Sequence, residues 1–179
     1  MAENMETISV QDYIATVLPE LLAAQGGISD GEYAVQYDID GILYATKFSV
    51  GASEVVPGSV ENPLVLISMN EAAWRAMINE EVPGTNALVS PDKMTFSRLE
   101  KIQATKGKFN LELTTDDSSV VNSTTVFNST ETPEVTLMMK AEDYAKILKG
   151  ELNSQMAFMT GKLKFKGDMN FLMKLGGLM

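Results

Sequence analysis

The chain has 179 residues, 45% hydrophobic and 21% charged, enough for one ordinary domain with a sizeable core and too apolar for a wholly disordered chain. It has no histidine and no cysteine, which excludes imidazole acid–base pairs, thiolate nucleophiles, disulfides and thiolate zinc or iron–sulfur sites, and leaves a metal only oxygen ligands. The net charge of −10 argues against nucleic acid as the main partner.

That charge is uneven. Residues 1–92 carry two bases against 14 acids, whereas residues 93–179 carry 12 bases against 10 acids. Solubility explains such an imbalance; orientation of the molecule at a surface is the other reading. Glu3, Glu6 and Asp12 stand where a signal peptide would have its basic and apolar runs, and no apolar stretch approaches the roughly 20 residues that span a bilayer. A cytoplasmic protein is expected.

In chain order, Val10, Ile14, Val17, Leu18, Leu21 and Leu22 recur at helical spacing and predict a helix over 9–25. Ser9 with Asp12 looks like its N-terminal cap, and Pro19 predicts a kink or a second short helix. Tyr33, Val35, Tyr37 and Ile39 alternate with smaller or polar residues, and Asp40-Gly41 is a two-residue turn signal, so 32–50 reads as a β-hairpin. Val55 to Gly58 suggests a short strand and turn, and Leu64 to Ile67 a compact apolar strand. Asn70 can cap a helix carrying Ala73, Trp74, Met77 and Ile78. Residues 82–95, with Pro83-Gly84, Asn86 and Ser90-Pro91-Asp92, read as loop and internal seam.

Beyond the seam, Phe109, Leu111 and Leu113 mark a half-buried strand, Asp116-Asp117 a turn, and Val120–Phe127 and Val135–Met139 further strands. A helix over Lys140–Lys149 follows, ended by Gly150. Asn122 and Asn128 head Asn-Ser-Thr sequons and are read as ordinary polar strand or turn residues. The strand–helix runs beginning at Pro63 and Pro133 look alike, and each follows a two-strand segment opened by Gly31-Glu32-Tyr33 or Gly107-Lys108-Phe109. The chain is read as a single domain, 1–179, with a repeated strand-strand-strand-helix unit at 31–81 and 107–151. Real duplication and shared patterning both account for that likeness. The paired acids Asp38/Asp40 and Asp116/Asp117 fall at turns, and no phosphate-binding glycine motif is present.

The C-terminal residues are the most informative. Lys149-Gly-Glu-Leu-Asn-Ser-Gln155, then Ala157-Phe-Met-Thr-Gly-Lys-Leu-Lys-Phe-Lys-Gly-Asp-Met169, form a strand with Leu163 and Phe165 on one face and Lys162, Lys164 and Lys166 on the other, leading to a helix capped by Asp168. The lysine row is either a solvated, aggregation-resistant edge or a contact for anionic groups. This segment resembles the sterol carrier protein 2 family, whose pattern is roughly Gly-Lys-Leu-Asn-Pro-Gln-x-Ala-Phe-Met-Gln-Gly-Lys-Leu-Lys-Ile-Lys-Gly-Asn/Asp-Met. Ser154 replaces its Pro and Thr160 its frequent Gln.

The resemblance implies an α+β fold: a curved, mostly antiparallel sheet covered on one face by helices and enclosing an apolar cavity. It implies binding, and transfer between membranes, of an apolar lipid such as a fatty acid, fatty acyl-CoA or sterol-like molecule. The partners are then that lipid and, transiently, a membrane surface, with no cofactor and no metal. Seven of the 12 methionines lie at or after Met138, and under the resemblance this flexible, polarizable residue type suits a lipid seat. The candidate lining is Tyr144, Leu148, Gln155, Met156, Phe158, Met159, Phe165, Met169, Leu172 and Met173. Gln155 would either meet a ligand head group or cap a backbone end. The chain is expected not to be an enzyme; an interaction module with a filled core and an acidic partner surface is the alternative.

Overall fold

A computed structural model describes residues 7–83 and 89–178. Glu3, Glu6, Gly84, Asn86 and Met179, invoked above, lie outside the described residues.

The first helical segment, α1, starts at Ser9, whose Oγ accepts from the Asp12 N–H at 3.0 Å. Its α-helical Val10–Asp12 widens into a π-turn over Tyr13–Val17 before α-helix resumes over Leu18–Gln25. The disturbance expected at Pro19 takes this form: proline has no N–H to give a carbonyl four residues back, and the preceding turn lengthens. Strands β1 (Tyr33–Ile39) and β2 (Ile42–Ser49) form the predicted hairpin, with Asp40 and Gly41 at φ 49° and 86° in the tight turn. β3 (Ala52–Pro57), β4 (Val65–Met69) and α2 (Glu71–Ile78) follow, α2 capped by Asn70 Oδ1 at 2.7 Å from the Ala73 N–H.

The expected seam gives way to a short 3-10 turn (Pro91–Lys93) and then to a helix the sequence reading did not contain, α3 (Phe96–Gln103). Leu99 and Ile102 are its buried residues. β5 (Gly107–Thr114), β6 (Val120–Phe127), β7 (Glu134–Lys140), α4 (Ala141–Leu148), α5 (Ser154–Met159), β8 (Leu163–Gly167) and α6 (Met169–Gly176) complete the chain.

All eight strands join one sheet in the order β3-β2-β1-β4-β6-β5-β7-β8. Only the β1–β4 and β5–β7 pairings are parallel, so the sheet is mostly antiparallel, as the α+β expectation had it. The front and back halves share a hairpin, a later strand parallel to its first strand, and a helix, with β3 as an additional strand in the front half. Val35 lies opposite Val65, and Phe109 opposite Val135. With Pro63 matched to Pro133, Val35 therefore corresponds to Phe109, two residues from the Gly31/Gly107 correspondence.

One sheet face supplies the core: Val35, Tyr37 and Ile39 on β1, Val65 and Ile67 on β4, Phe109, Leu111 and Leu113 on β5, Val135 and Leu137 on β7, and Leu163 on β8 are all buried. Trp74 of α2 and Tyr144 of α4 pack onto it. The opposite face mixes polar residues with apolar ones such as Leu43, Leu66, Val126 and Met138, and the β3–β4 connection crosses it, held by Gln36, whose Nε2 donates to the Tyr44 and Gly58 carbonyls and whose Oε1 accepts from the Val60 N–H. No helix among the described residues is long and apolar enough to cross a membrane.

Asn128, read from sequence as an ordinary turn residue, holds α3 in place. Its Nδ2 lies within hydrogen-bonding distance of the Ile102, Gln103 and Thr105 carbonyls, at 2.9, 3.2 and 2.6 Å. Asn128→Ala leaves the end of α3 without these partners and should lower stability by about 1–3 kcal/mol, read as a shift in the urea midpoint. At the β5–β6 turn, hydrogen bonds from the Thr115 hydroxyl and from the hydroxyl and N–H of Ser119 hold the Asp117 carboxyl down to about 2. A depressed acid stabilises the fold above its unfolded value and loses that contribution as pH falls through the folded one. Asp117 should therefore titrate by NMR near 2, with the turn loosening below the usual aspartate range.

Candidate functional site

The ten candidate residues separate into four places. Tyr144 is fully buried under α4, where burial pushes its phenol far above the usual tyrosine range and keeps it neutral. Leu148 borders a groove of about 450 Å³ between the ends of α2 and α4, floored by Met77, Val82, Ala141 and Ala145 and edged by Glu80, Glu142 and Lys149. Gln155 is exposed at the start of α5 and does not cap it: the cap is Asn153, whose Oδ1 accepts from the Gln155 and Met156 N–H groups.

The other seven lie on α5, β8 and α6 at one edge of the sheet. Among the described residues ten large apolar side chains are exposed, and five of them, Met156, Phe158, Met159, Met169 and Met173, fall between positions 156 and 173. Phe165 and Leu172 are half-buried beside them, packed on the core. Phe158 reaches Phe165 with ring centroids 5.6 Å apart.

Local rules explain the exposure. α5 buries only Ala157, so Met156, Phe158 and Met159 face outward. Met169, Leu172 and Met173, three of the candidate lining residues, are not the face by which α6 docks. Phe171 and Leu175 are buried instead. Phe171 fits because Gly107 has no side chain: a Cβ there would come within 2.7 Å of the Phe171 ring. On the far side of α6, Lys174 Nζ donates to the Ala104 carbonyl at the end of α3. Met169, Leu172 and Met173 are thereby turned away from α3, and Met173, like Met159, is 73% exposed.

One ion pair ties this edge to the body. Asp143, 3% exposed in the first turn of α4, accepts from Lys162 Nζ at 2.9 Å. Lys162→Met strands a buried carboxylate and should cost about 1–3 kcal/mol after allowance for the half-exposed lysine, whereas Asp143→Asn strands only a solvated lysine and should cost less. Denaturant midpoints of the two variants check the order.

Among the described residues no group of three or more acidic side chains is placed to hold a metal ion. The sequence reading missed the outward placement of the methionines. The available signal was their spacing, Met156/Met159 and Met169/Met173, next to a row of lysines.

Comparison with known proteins bears on the same segment. Residues 93–179 match the model of the SCP-2 sterol transfer family. Peroxisomal multifunctional enzyme A of Dictyostelium discoideum is 49% identical over 47 residues, 26% of this chain and 11% of that protein. Hydroxysteroid dehydrogenase-like protein 2 of Homo sapiens is 46% identical over 46 residues, again 26% of this chain and 11% of the relative. The matched segment thus spans about a tenth of these relatives' length. Among solved structures, apo sterol carrier protein 2 from Yarrowia lipolytica aligns with TM-score 0.38 and 19% identity over 52% of this chain and 80% of that one. The sterol carrier protein domain of Helicoverpa armigera aligns with TM-score 0.35 and 24% identity over 60% and 80%.

The expectation that the chain is not an enzyme is contradicted by these relatives, which carry enzyme names over the matched segment. Lack of histidine and cysteine removes imidazole and thiolate chemistry from this chain, but it does not separate the segment from longer proteins that carry enzyme names. The likeness read from the C-terminal residues is upheld by the family match: residues 93–179 are similar to the SCP-2 sterol transfer family.

Proposed function

We propose that this chain binds an apolar lipid, a fatty acid, fatty acyl-CoA or sterol-like molecule, at the edge formed by α5, β8 and α6, and transfers it between membranes. The observation that carries this reading is the concentration of exposed Met156, Phe158, Met159, Met169 and Met173 around half-buried Phe165 and Leu172, within a segment that matches a sterol transfer family. Apolar surface of this kind stays in water at a cost of roughly 25 cal/mol per Å², which a lipid lying between α5 and α6 would relieve.

In this reading Phe165 and Leu172 are the floor, Phe158 and Met156 one wall and Met169 the other. Met159 and Met173 form the mouth. Tyr144 supports the floor from within the core, Leu148 lines the groove between α2 and α4, and Gln155 at the exposed start of α5 meets a polar head group. Methionines adapt to acyl chains and rings alike, since three rotatable bonds let each follow the ligand's shape. The site of action is cytoplasmic in this reading; the peroxisomal name belongs to the Dictyostelium relative.

Titration with a fluorescent fatty acid and a fluorescent sterol tests it. Uptake of at least one probe is expected, with Phe165→Ala weakening it by about tenfold, the loss of one aromatic contact surface. Circular dichroism confirms that the variant is folded. Wild-type protein that takes up neither probe would overturn the assignment.

A further inference from the structure

We infer that the groove between α2 and α4 is a binding site for an organic cation, an ammonium group carried on a compact alkyl or aryl body. The site stands apart from the α5–β8–α6 edge, since Leu148 alone of the candidate lipid contacts lines it. Its volume of about 450 Å³ is that of a small-molecule pocket. Three observations carry the inference.

First, α4 turns a whole face to the groove. Ala141, Glu142, Ala145, Leu148 and Lys149 share one side of the helix at three- and four-residue spacing, and all of them line it. Met77 of α2, with Val82 and Pro83 just beyond its end, completes the apolar lining. Ala145, Leu148 and Met77 are half-buried, so apolar surface remains there for a guest to cover.

Second, the rim charge has a sign. Glu80, Glu81, Asp116 and Glu142 line the groove against Lys93 and Lys149. Glu142 lies 4.0 Å from Lys146, whereas Glu80, Glu81 and Asp116 belong to no ion pair among the described residues. Excess negative charge beside an apolar floor draws a cation in and turns an anion away.

Third, one of those acids sits where glycine is the ordinary choice. Glu80 and Gly150 stand 17 positions after Pro63 and Pro133, and both are left-handed, with φ 61° and 75°. The two helix ends close alike: the Glu81 and Val82 N–H groups donate to the Ala76 carbonyl, and those of Glu151 and Leu152 to the Lys146 carbonyl. This backbone suits glycine and costs any other residue. The turn accounts for Gly150 but not for a carboxylate at position 80 on the groove rim. A cation held there does. A fatty acid would set its own carboxylate against the unpaired acids, and a neutral chain would leave them unanswered.

The test is a titration of the full chain with octylammonium, octanol and octanoate, followed by methyl NMR. Octylammonium should move the Ala141 and Ala145 methyl signals and bind about tenfold more tightly than octanol, with octanoate weakest and the preference shrinking as salt is raised. Glu80→Gly should keep or raise the urea midpoint while weakening octylammonium by about threefold or more, and Glu80→Gln should weaken it equally. Phe165→Ala should leave this binding unchanged, which separates the groove from the lipid seat. Equal affinity for octylammonium and octanol, tighter binding of octanoate, or a Glu80→Gly variant that binds as the wild type does overturns the site. So does octylammonium that moves the Met159 and Met173 methyls and leaves Ala141 and Ala145 still, which would assign the amine to the lipid edge.

Discussion

The ladder between β4 and β6 is the contact on which the rest of the molecule depends. It sets Val65 against Phe127, Ile67 against Thr125 and Met69 against Ser123, and it joins two halves that each build a hairpin, a parallel strand and a helix. With those strands hydrogen-bonded, the inner faces of all eight strands become one surface, and the helices can bury it as a single core. Without the ladder β4 and β6 would each become an exposed outer strand of its half, the liability that sheet proteins otherwise have to cover.

The same pairing decides where the sheet ends, with β3 and β8 as the outer strands. β8 carries alternate lysines, and its flanks are short helices that bury few of their own side chains. The acidic front half lies toward β3 and the basic tail toward β8, so sequence order becomes a polarity across the sheet. The proposed lipid seat follows from that placement, because five of the ten exposed large apolar side chains among the described residues lie in the segment around β8.

Several elements were legible in the residues. Asp40-Gly41 specified the first hairpin because its backbone suits a two-residue turn, and Phe109, Leu111 and Leu113 announced a strand buried on one face. Asn70 and Asp168 were readable as caps, since a short oxygen-bearing side chain before an apolar run serves the free N–H groups of a helix start. α3 was not legible. Only Leu99 and Ile102 are buried among its eight residues, too thin a stripe to stand out locally. It also draws on Asn128, which lies 26 positions after Ile102 in the chain. Strand order was equally hidden, because alternation tells which face a residue takes and not which strand lies beside it.

The candidate site divides along the same line. By itself the sequence determined which residues are apolar, that they are rich in methionine, that lysines alternate along β8, and that the segment follows the sterol carrier pattern. Only the tertiary structure decided which of those apolar groups face water. α6 could have buried Met169, Leu172 and Met173. It turned instead on Phe171, because that ring fills the notch left by the missing side chain of Gly107 and Leu175 follows it into the core. A helical repeat marks a stripe of apolar positions but leaves its rotation free by one residue, and the shape of the opposing surface sets it.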